Sequence, residues 1–461
     1  MQFRSTQRIR WAEIAALAAC ILFTAVFSGK YLILPGMVAS QKAEKNAIMF
    51  EAIEKYYMEG DYLDAAENMI MSSSQPGTAG FAEYPLNFTY AWLLGYYTVN
   101  QERENKFGLR GNLAQYTILN LDENNKGKTV KLTTDTALQN TAFNLLGGNE
   151  GSIIVIDNHT GAIKAFASHS TVSYDVNNFE ALINSSIPDS QYRRGTYEND
   201  PPGSTFKIVT AAAALTAREK GELSDEDLQF YDEGTFIPEG SGYAITNYND
   251  AAYGNISLED GFAYSVNTYF AHLGVVLGAD RLEKQAKQFA IGTDIDIPYL
   301  TTLHSSFAYE DEGPLFVAQT AFGQGQTEIT PVHLCMIAQA IANDGAMLKP
   351  YVVEKVYSER STAYAGSSAL LKRCVSTTVA ASLKEIMHAA AEQYGLYESY
   401  YGYVCAKTGT AECPDGRIHT YLVGFTEDAS FCISMNNSYH SYDLYPVAQN
   451  LVYNINNLYA R

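Results

Sequence analysis

The chain has 461 residues, too many for one small core, and 47% of its residues are hydrophobic against 18% charged. This composition predicts two or three ordered globular units and excludes a largely disordered chain. The 31 basic and 51 acidic residues give a net charge of −20, which repels nucleic acid and excludes a general nucleic-acid-binding role.

Residues 1–34 are predicted to form a cytoplasmic tail and a transmembrane anchor. Three arginines within the first ten residues precede a mostly apolar run from Trp11 to Leu34, in which Lys30 can snorkel to the membrane surface. A cleaved signal peptide is the alternative, but the weak cleavage pattern at 38–40 lies too far from the apolar centre. The arginines favour a single-pass protein whose N-terminus is cytoplasmic and whose remainder lies outside the cell membrane.

Residues 35–127 are predicted to form an N-terminal pedestal or docking region, because they contain no cluster of catalytic residue types. Within this region, the apolar spacing of Gln41–Ser73 predicts a pair of helices. The character of the sequence changes after Lys128. At residues 151–168, GSIIVIDNHTGAIKAFAS, two β-rich runs flank a set of turn residues, which predicts a hairpin at the start of an antiparallel sheet.

The stretch Asp200–Leu215, DPPGSTFKIVTAAAAL, predicts a buried helix that begins at a candidate nucleophile, Ser204. At a helix start, unpaired backbone N–H groups and the helix dipole favour developing negative charge. Lys207 lies on the same helix face, and burial favours its neutral amine, which could accept the serine proton. Taken alone, the S-x-x-K pattern favours an N-capping serine followed by a lysine that reaches solvent, so the catalytic interpretation depends on partners elsewhere in the chain.

A second polar group is predicted at a break between two helices. One helix is capped by Ser257 and another is expected to begin near Thr268, so that Ser265 and Asn267 of an S-x-N pattern can point into a cleft. Another S-x-N, at 434–436, lies in a strand-like run, and the pattern alone is therefore not specific.

The K-T-G of the chain lies on a predicted strand. A fixed ammonium on Lys407 and the hydroxyls of Thr408 and Thr410 could hold a substrate carboxylate, while Gly409 lets a substrate backbone lie close to the strand edge. A surface strand that carries a lysine is the alternative. Two further strands follow, HTYLVGF and ASFCISMNN, and with the hairpin they predict one sheet of five strands.

The cysteines and histidines show no metal-binding pattern. The six cysteines contain no C-x-x-C pair and the eight histidines no H-E-x-x-H motif. Cys335, Cys405 and Cys432 lie in apolar segments typical of buried thiols, and a bridge between Cys405 and Cys413 is left open. The sequence therefore indicates no metal site, cofactor or disulfide framework.

The three motifs follow one another along the chain in the order S-x-x-K, S-x-N and K-T-G. This set resembles the motifs of the penicillin-binding proteins, and it is most similar to that of the short class B members. The resemblance runs from about Lys128 to the C-terminus and includes PPGSTFK, SLEDGFAYSVNTYF, FGQGQTEITPVHL, IANDG, KTGTAE and HTYLVGF. It implies an α+β fold, with a penicillin-binding/serine β-lactamase-like transpeptidase domain at 128–461. In that domain a five-stranded antiparallel sheet is flanked by helices, and a smaller pedestal and one transmembrane helix precede it. The pedestal motif of the family is not evident, and Arg110 with Gly111 is at most its remnant.

The resemblance also implies a reaction and a role for each residue. Ser204 would attack a peptidoglycan stem peptide at its penultimate D-alanine, and an amine of a second stem peptide would then take the acyl group to form a cross-link. β-Lactams would acylate the same serine. The other implied roles are proton acceptance by Lys207, proton relay by Ser265, backbone binding by Asn267, carboxylate binding by Lys407, Thr408 and Thr410, and an oxyanion hole made by the backbone N–H groups of Ser204 and Thr410.

The implied partner is a membrane-embedded glycan polymerase of the shape, elongation, division and sporulation family. Three alternatives stay open, namely a D,D-carboxypeptidase, a serine β-lactamase and a catalytically idle scaffold of a wall-synthesis complex. No E-x-x-L-N segment of a β-lactamase lies between Asn267 and Lys407, and an intact Ser204 and Lys207 disfavour the scaffold. The acceptor amine, the cross-link type, the growth, division or sporulation role, the cysteine redox state and the oligomeric state are not specified by the sequence.

Overall fold

A computed structural model describes residues 22, 34–73, 82–83, 89–99, 104–119, 121, 125–169, 194–308, 313–413, 416–436 and 440–460. Apart from positions 22 and 34, the predicted tail and anchor at 1–34 lie outside the described residues. Among the helices that are described, none has the length and apolar character needed to cross a membrane.

Four helices of the described residues begin at a side-chain cap, of which the one at Ser257 was predicted from the sequence. Asp135, Ser257, Thr330 and Ser376 each cap a helix through their side chains, which satisfies a backbone N–H at the helix start. In chain order the helices are α1 Leu34–Tyr56, α2 Ala91–Leu94, α3 Gly108–Thr117, α4 Thr136–Leu145, α5 Lys207–Glu219, α6 Leu258–Ala263, α7 Asn267–Gln288, α8 Pro314–Ala321, α9 Pro331–Ala342, α10 Thr377–Gln393, α11 Glu398–Tyr401 and α12 Tyr445–Tyr459.

The strands of the described residues are, in chain order, β1 Tyr62–Leu63, β2 Met69–Ser73, β3 Ala82–Glu83, β4 Tyr96–Val99, β5 Glu104–Phe107, β6 Thr129–Leu132, β7 Gly151–Asp157, β8 Ile163–His169, β9 Phe230–Asp232, β10 Thr235–Phe236, β11 Ile245–Thr246, β12 Gly254–Ile256, β13 Ala346–Leu348, β14 Val353–Ser358, β15 Ser361–Ala365, β16 Leu370–Arg373, β17 Cys405–Glu412, β18 Ile418–Phe425 and β19 Ala429–Asn436.

The central sheet has the order β17-β18-β19-β7-β8 among the described strands, and each neighbouring pair is antiparallel. The predicted hairpin and the three predicted C-terminal strands thus form one five-stranded antiparallel sheet, as expected. Every residue of β7 and of β19 is buried, which means that both faces of the sheet are covered. Helix α9 packs on β7, β18 and β19, whereas α4 packs on β8 and contacts α12.

A second sheet brings together strands from residues 62–83, 129–132 and 353–365 in the order β15-β14-β6-β1-β2-β3. Strand β1 pairs in parallel with β6, so this sheet includes residues from both sides of the predicted boundary at 127. The helical pair predicted for Gln41–Ser73 is wrong in its second half, which forms β1 and β2. The carboxylate of Asp64 accepts hydrogen bonds from the backbone N–H groups of Ala66 and Asn68 and holds a turn between these strands.

A buried ion pair fixes the N-terminal region. Arg110 of α3 is 1% exposed and lies against Glu59, which is 3% exposed, with a shortest nitrogen-to-oxygen distance of 2.6 Å. Arg110 Nε donates to both carboxylate oxygens of Glu59, and Nη1 also reaches the carbonyl of Gly95 at 3.4 Å. This bidentate pairing compensates the cost of burying both charges and ties α3 to the start of β4.

Candidate active site

Ser204 lies on a tight turn that leads into α5. Residues Gly203–Phe206 form a 3-10 helix, and the α-helix begins only at Lys207, one turn later than the sequence predicted. The α-helix begins later because Gly203 has a φ of +54°, in the left-handed region, and a tighter 3-10 turn follows it. Ser204 is half-buried, and among the described residues its hydroxyl has no hydrogen-bonding partner. The hydroxyl is thus not engaged with another side chain.

Glycines let three backbone segments meet at this turn. A Cβ on Gly203 would lie 2.4 Å from the carbonyl oxygen of Thr410 in β17, and one on Gly323 would lie 1.7 Å from the carbonyl oxygen of Gly203. A Cβ on Gly409 would lie 2.9 Å from the carbonyl oxygen of Pro202. Because only glycine permits these contacts, the turn packs directly against the backbone of β17 on one side and of the loop at 323–325 on the other. The backbones of Gly203 and Thr410 are adjacent.

Lys207 is fully buried and points at the break between α6 and α7. Its Nζ donates to the carbonyl oxygen of Ser265 at 2.7 Å and to Oδ1 of Asn267 at 2.8 Å, and it lies within hydrogen-bonding distance of the hydroxyl of Ser265, at 3.1 Å. Burial, and to a lesser extent the charge of Lys407, holds the pKa of Lys207 well below its ordinary value. This shift favours the neutral amine, which can accept a proton.

Ser265 lies in the predicted break, since α6 ends at Ala263 and α7 begins at Asn267. Its φ of +57° is uncommon for a residue other than glycine, and such strain is often retained at functional sites. The same hydroxyl that Lys207 contacts also lies 2.9 Å from Nζ of Lys407. One hydroxyl thus connects two buried amines and can pass a proton between them.

Lys407 is turned into the protein beneath β17. Its side chain is fully buried, and besides Ser265 its Nζ contacts the hydroxyl of Tyr394 and the carbonyl oxygen of Thr408, each at 3.3 Å. Burial lowers the pKa of Lys407 to about 7. The amine of Lys407 faces Ser265 rather than solvent. It would therefore approach a bound carboxylate from the buried side of β17.

Tyr394 is a site residue that sequence reasoning missed. It follows the last residue of α10, is 4% exposed, and places its hydroxyl 3.3 Å from Nζ of Lys407 and 3.5 Å from the backbone N of Thr408. Its ring lies 5.1 Å from that of Tyr445. No short motif marks this position, because its role depends on packing between α10 and β17.

The outer edge of β17 is open to a ligand. Strand β17 is the end strand of the sheet, and no other described strand pairs with its outer edge. Thr408 is 6% exposed, Gly409 is buried against the serine turn, and Thr410 is exposed. An extended peptide could add to such an edge through backbone hydrogen bonds.

All the candidate residues predicted from the three motifs therefore surround one region of the fold. The one predicted contact that is not present is a direct hydrogen bond between Ser204 and Lys207, because the amine donates to Ser265 and Asn267 instead. In unliganded sites such contacts are often long and tighten only when substrate binds. The arrangement can activate a hydroxyl nucleophile, relay its proton and bind an extended peptide.

Comparison with known proteins relates the chain to the penicillin-binding proteins. The family model described as penicillin binding protein transpeptidase domain matches residues 151–457. Peptidoglycan D,D-transpeptidase PbpA of Mycolicibacterium smegmatis is 30% identical over 316 residues, which cover 62% of this chain and 61% of that protein. The chain thus spans less than two thirds of the length of this curated relative.

Solved structures show the same fold. The D,D-transpeptidase domain of a peptidoglycan glycosyltransferase from Eggerthella lenta superposes with a TM-score of 0.74 at 26% identity, over 86% of this chain and 97% of that one. The penicillin G acyl-enzyme complex of penicillin-binding protein A from Mycobacterium tuberculosis gives a TM-score of 0.74 at 23% identity, over 86% and 99% respectively. At that lower identity the likeness concerns the fold. The family model covers most of the chain, and the fold and the three motifs agree with it. The chain therefore belongs to the penicillin-binding protein transpeptidase domain family.

Proposed function

We propose that the chain is a peptidoglycan D,D-transpeptidase that cross-links stem peptides through a serine acyl-enzyme and is inhibited covalently by β-lactams. Its family and the name of the related PbpA support this activity. The observation that carries the proposal is the Ser265 hydroxyl, which lies 3.1 Å from Nζ of Lys207 and 2.9 Å from Nζ of Lys407, beside the turn that bears Ser204.

In the acylation step, the hydroxyl oxygen of Ser204 bonds to the carbonyl carbon of the penultimate D-alanine, and its proton passes to neutral Lys207. The proton then moves through Ser265 to the nitrogen of the terminal D-alanine, which leaves as an amine when the C–N bond breaks. In the second step, an amine of another stem peptide attacks the ester carbonyl, forms a new amide and regenerates the Ser204 hydroxyl. Ser204 attacks a β-lactam in the same way, but the leaving nitrogen stays covalently attached to the acyl group through the rest of the ring system.

Substrate binding is assigned to the edge of β17 and to the break between α6 and α7. Asn267 would hold the peptide backbone, and the hydroxyls of Thr408 and Thr410 would bind the terminal carboxylate together with the charge of Lys407. The backbone N–H groups of Ser204 and Thr410 would form the oxyanion hole, where one donor typically contributes about 3 kcal/mol of transition-state stabilisation. The adjacency of the Gly203 and Thr410 backbones supports this assignment.

The organisation of the whole chain is proposed from its sequence. Residues 1–34 would anchor the protein in the cell membrane with a cytoplasmic N-terminus, residues 35–127 would form the pedestal, and residues 128–461 would form the extracytoplasmic transpeptidase domain. A membrane-embedded glycan polymerase of the shape, elongation, division and sporulation family would be the partner. Protease accessibility of residues 128–461 from outside intact cells tests the topology, and protection of this region would contradict it.

Labelling with a fluorescent penicillin tests the chemistry. The wild-type chain should form a slowly hydrolysed covalent adduct, and Ser204→Ala should form none. Ser257→Ala is the matched control, because it removes another half-buried hydroxyl, one that caps α6, and it should be labelled like wild type. An adduct that persists in Ser204→Ala, or no adduct on the wild-type chain, would overturn the proposal, and the second result would favour the idle scaffold.

The relay is tested by comparing the two S-x-N patterns of the chain. Loss of a general acid–base group typically slows a reaction by about 10²–10⁴-fold, and Ser265→Ala should slow penicillin acylation on this scale. Ser434→Ala removes the hydroxyl of the other S-x-N, in β19, and should leave the rate unchanged. Equal rates for the two variants would exclude the relay.

Product analysis separates the three related activities. A peptide that ends in D-alanyl-D-alanine should lose one D-alanine and gain an added acceptor amine. Hydrolysis that stays unaffected by the amine would identify a D,D-carboxypeptidase. Rapid turnover of the penicillin would identify a β-lactamase.

A further inference from the structure

A cysteine, a histidine and an aspartate meet behind the serine turn, outside the proposed catalytic residues. Asp200 lies at the start of the segment that leads to the turn, Cys413 follows the last residue of β17, and His419 lies on β18 opposite Ala411. One potential ligand atom from each of Asp200, Cys413 and His419 lies within 4.8 Å of the others. Cys413 is 7% exposed and His419 is fully buried.

The three side chains lie close enough together to bind one metal ion after small side-chain movements. Sγ of Cys413 lies 3.8 Å from Oδ1 of Asp200, and Nδ1 of His419 lies 3.4 Å from Oδ2 of Asp200. Tetrahedral bonds of about 2.0–2.3 Å place ligand atoms roughly 3.3–3.5 Å apart. A charge-assisted hydrogen bond between His419 and Asp200 would instead bring the two atoms to about 2.7–2.9 Å. The distance between His419 and Asp200 lies in the ligand range, whereas the distance from Cys413 to the other carboxylate oxygen is about 0.3 Å longer.

We propose that Asp200, Cys413 and His419 bind one zinc ion, with water at the fourth position. A thiolate, an imidazole and a carboxylate together form a donor set typical of Zn²⁺ and unsuited to Mg²⁺ or Ca²⁺. Arg417, whose side chain is 39% exposed, lies 3.8 Å from Oδ1 of Asp200 and can turn toward solvent when a metal ion takes its place. Binding releases the thiol proton of Cys413, as zinc binding by cysteine generally does.

Such an ion would link the two segments that the proposed oxyanion hole requires. Asp200 precedes the turn that bears Ser204, and Cys413 and His419 belong to the β17–β18 hairpin that carries Thr410. The ion would be held by residues other than those that carry the catalytic hydroxyl and amine groups. Its role is to position the turn against β17, and it takes no part in the chemistry.

The test measures metal content first. The full-length chain, purified in detergent and dialysed against Zn²⁺, should retain one equivalent by elemental analysis. Dialysis against Co²⁺ should give the intense visible absorption of a tetrahedral site and a thiolate-to-cobalt band in the near ultraviolet. The cobalt spectrum requires no variant and therefore remains informative if a substitution prevents folding.

Matched variants then locate the ion. Loss of an outer-shell partner typically weakens metal binding by about 10–100-fold, so removal of a direct ligand in Cys413→Ser or His419→Gln should weaken it by at least this factor. Cys374→Ser removes a similarly buried thiol, 4% exposed, outside the cluster and should retain the ion. Metal removal should also lower the melting temperature of the wild-type chain and not that of Cys413→Ser.

Two results would overturn the inference. A wild-type chain that retains neither Zn²⁺ nor Co²⁺ would identify the cluster as an ordinary ion pair beside a thiol, and equal retention by Cys413→Ser would place the metal elsewhere. Both are independent of penicillin labelling at Ser204, so failure of the metal site and failure of the proposed enzyme are separate outcomes.

Discussion

Gly203→Ala tests whether the contact between the serine turn and β17 matters for the reaction. Gly203 has a φ of +54°, and the added Cβ would lie 2.4 Å from the carbonyl oxygen and 2.7 Å from the carbonyl carbon of Thr410. Both contacts are to backbone atoms, which cannot rotate away as a flexible side chain would. The turn must therefore move away from β17.

The size of the effect follows from these distances. An alanine in the left-handed conformation costs about 1–2 kcal/mol in stability wherever it occurs. The contact with Thr410 is also roughly 1 Å shorter than ordinary van der Waals contact, and a shift of this size at reacting atoms can slow a reaction by about 10²-fold. We therefore expect penicillin acylation of Gly203→Ala to be about 100-fold slower than that of wild type.

Gly221→Ala is the control, because it reproduces the backbone strain without the contact. Gly221 has a φ of +71°, lies just after the same helix α5, and has no atom within 4 Å of an added Cβ. Rates of acylation by a fluorescent penicillin, with melting temperatures recorded in parallel, separate the two effects. Gly221→Ala should lose stability and keep the wild-type rate.

Equal acylation rates for Gly203→Ala and wild type would refute this reasoning, provided that Ser204→Ala remains unlabelled. The proximity of Gly203 and Thr410 would then be a packing feature with no influence on the nucleophile. Equal slowing in Gly203→Ala and Gly221→Ala would also contradict it, because strain alone would then account for the loss.

Two further predictions concern the buried charges. Burial lowers the pKa of Lys407 to about 7 from an ordinary value of 10.5. Between pH 7 and pH 10.5 the unfolded chain therefore binds a proton that the folded chain does not. The free energy of unfolding should consequently rise with pH in this window. Urea unfolding at pH 7 and pH 9 should show a smaller rise in unfolding free energy for Lys407→Met than for the wild-type chain. An equal rise in both chains would show that Lys407 is not the group with the lowered pKa. Arg110→Ala leaves the carboxylate of Glu59 buried without this partner and should cost about 3–5 kcal/mol in unfolding free energy, whereas Arg110→Met combined with Glu59→Leu should recover most of this loss. A double variant as unstable as the single one would show that the pair cannot be replaced by apolar packing.

Much of the fold could be predicted because its strands and helices carry strong local patterns. The hairpin around residues 157–161 and the strands at 405–436 combine buried apolar runs with turn residues, and the structure places all of them in one sheet. The stretch 62–73 was predicted to be helical, but it forms strands because β1 pairs with β6, which is distant in sequence. Pairing of this kind depends on the partner strand and leaves little trace in a local pattern.

The candidate site was predictable to the extent that its residues belong to short motifs. Ser265 and Asn267 were placed at a helix break from capping signals alone, and the structure has the break at that point. Tyr394 was missed because its contact with Lys407 arises where two elements pack. The cluster behind the turn was missed for the same reason, since Asp200 and Cys413 are 213 residues apart in the chain.

The two lysines together explain how substrate binding could activate the nucleophile in the proposed reaction. Both amines are buried and contact one Ser265 hydroxyl, and the charge of Lys407 contributes to the lowered pKa of Lys207. A substrate carboxylate bound at Thr408 and Thr410 would favour the protonated form of Lys407, because opposite charges attract. Protonated Lys407 in turn disfavours a second proton on Lys207, so the base next to Ser204 would be most available when substrate occupies the site. In the proposed reaction, the contact between Lys407 and Ser265 beneath the strand would couple carboxylate binding to proton acceptance.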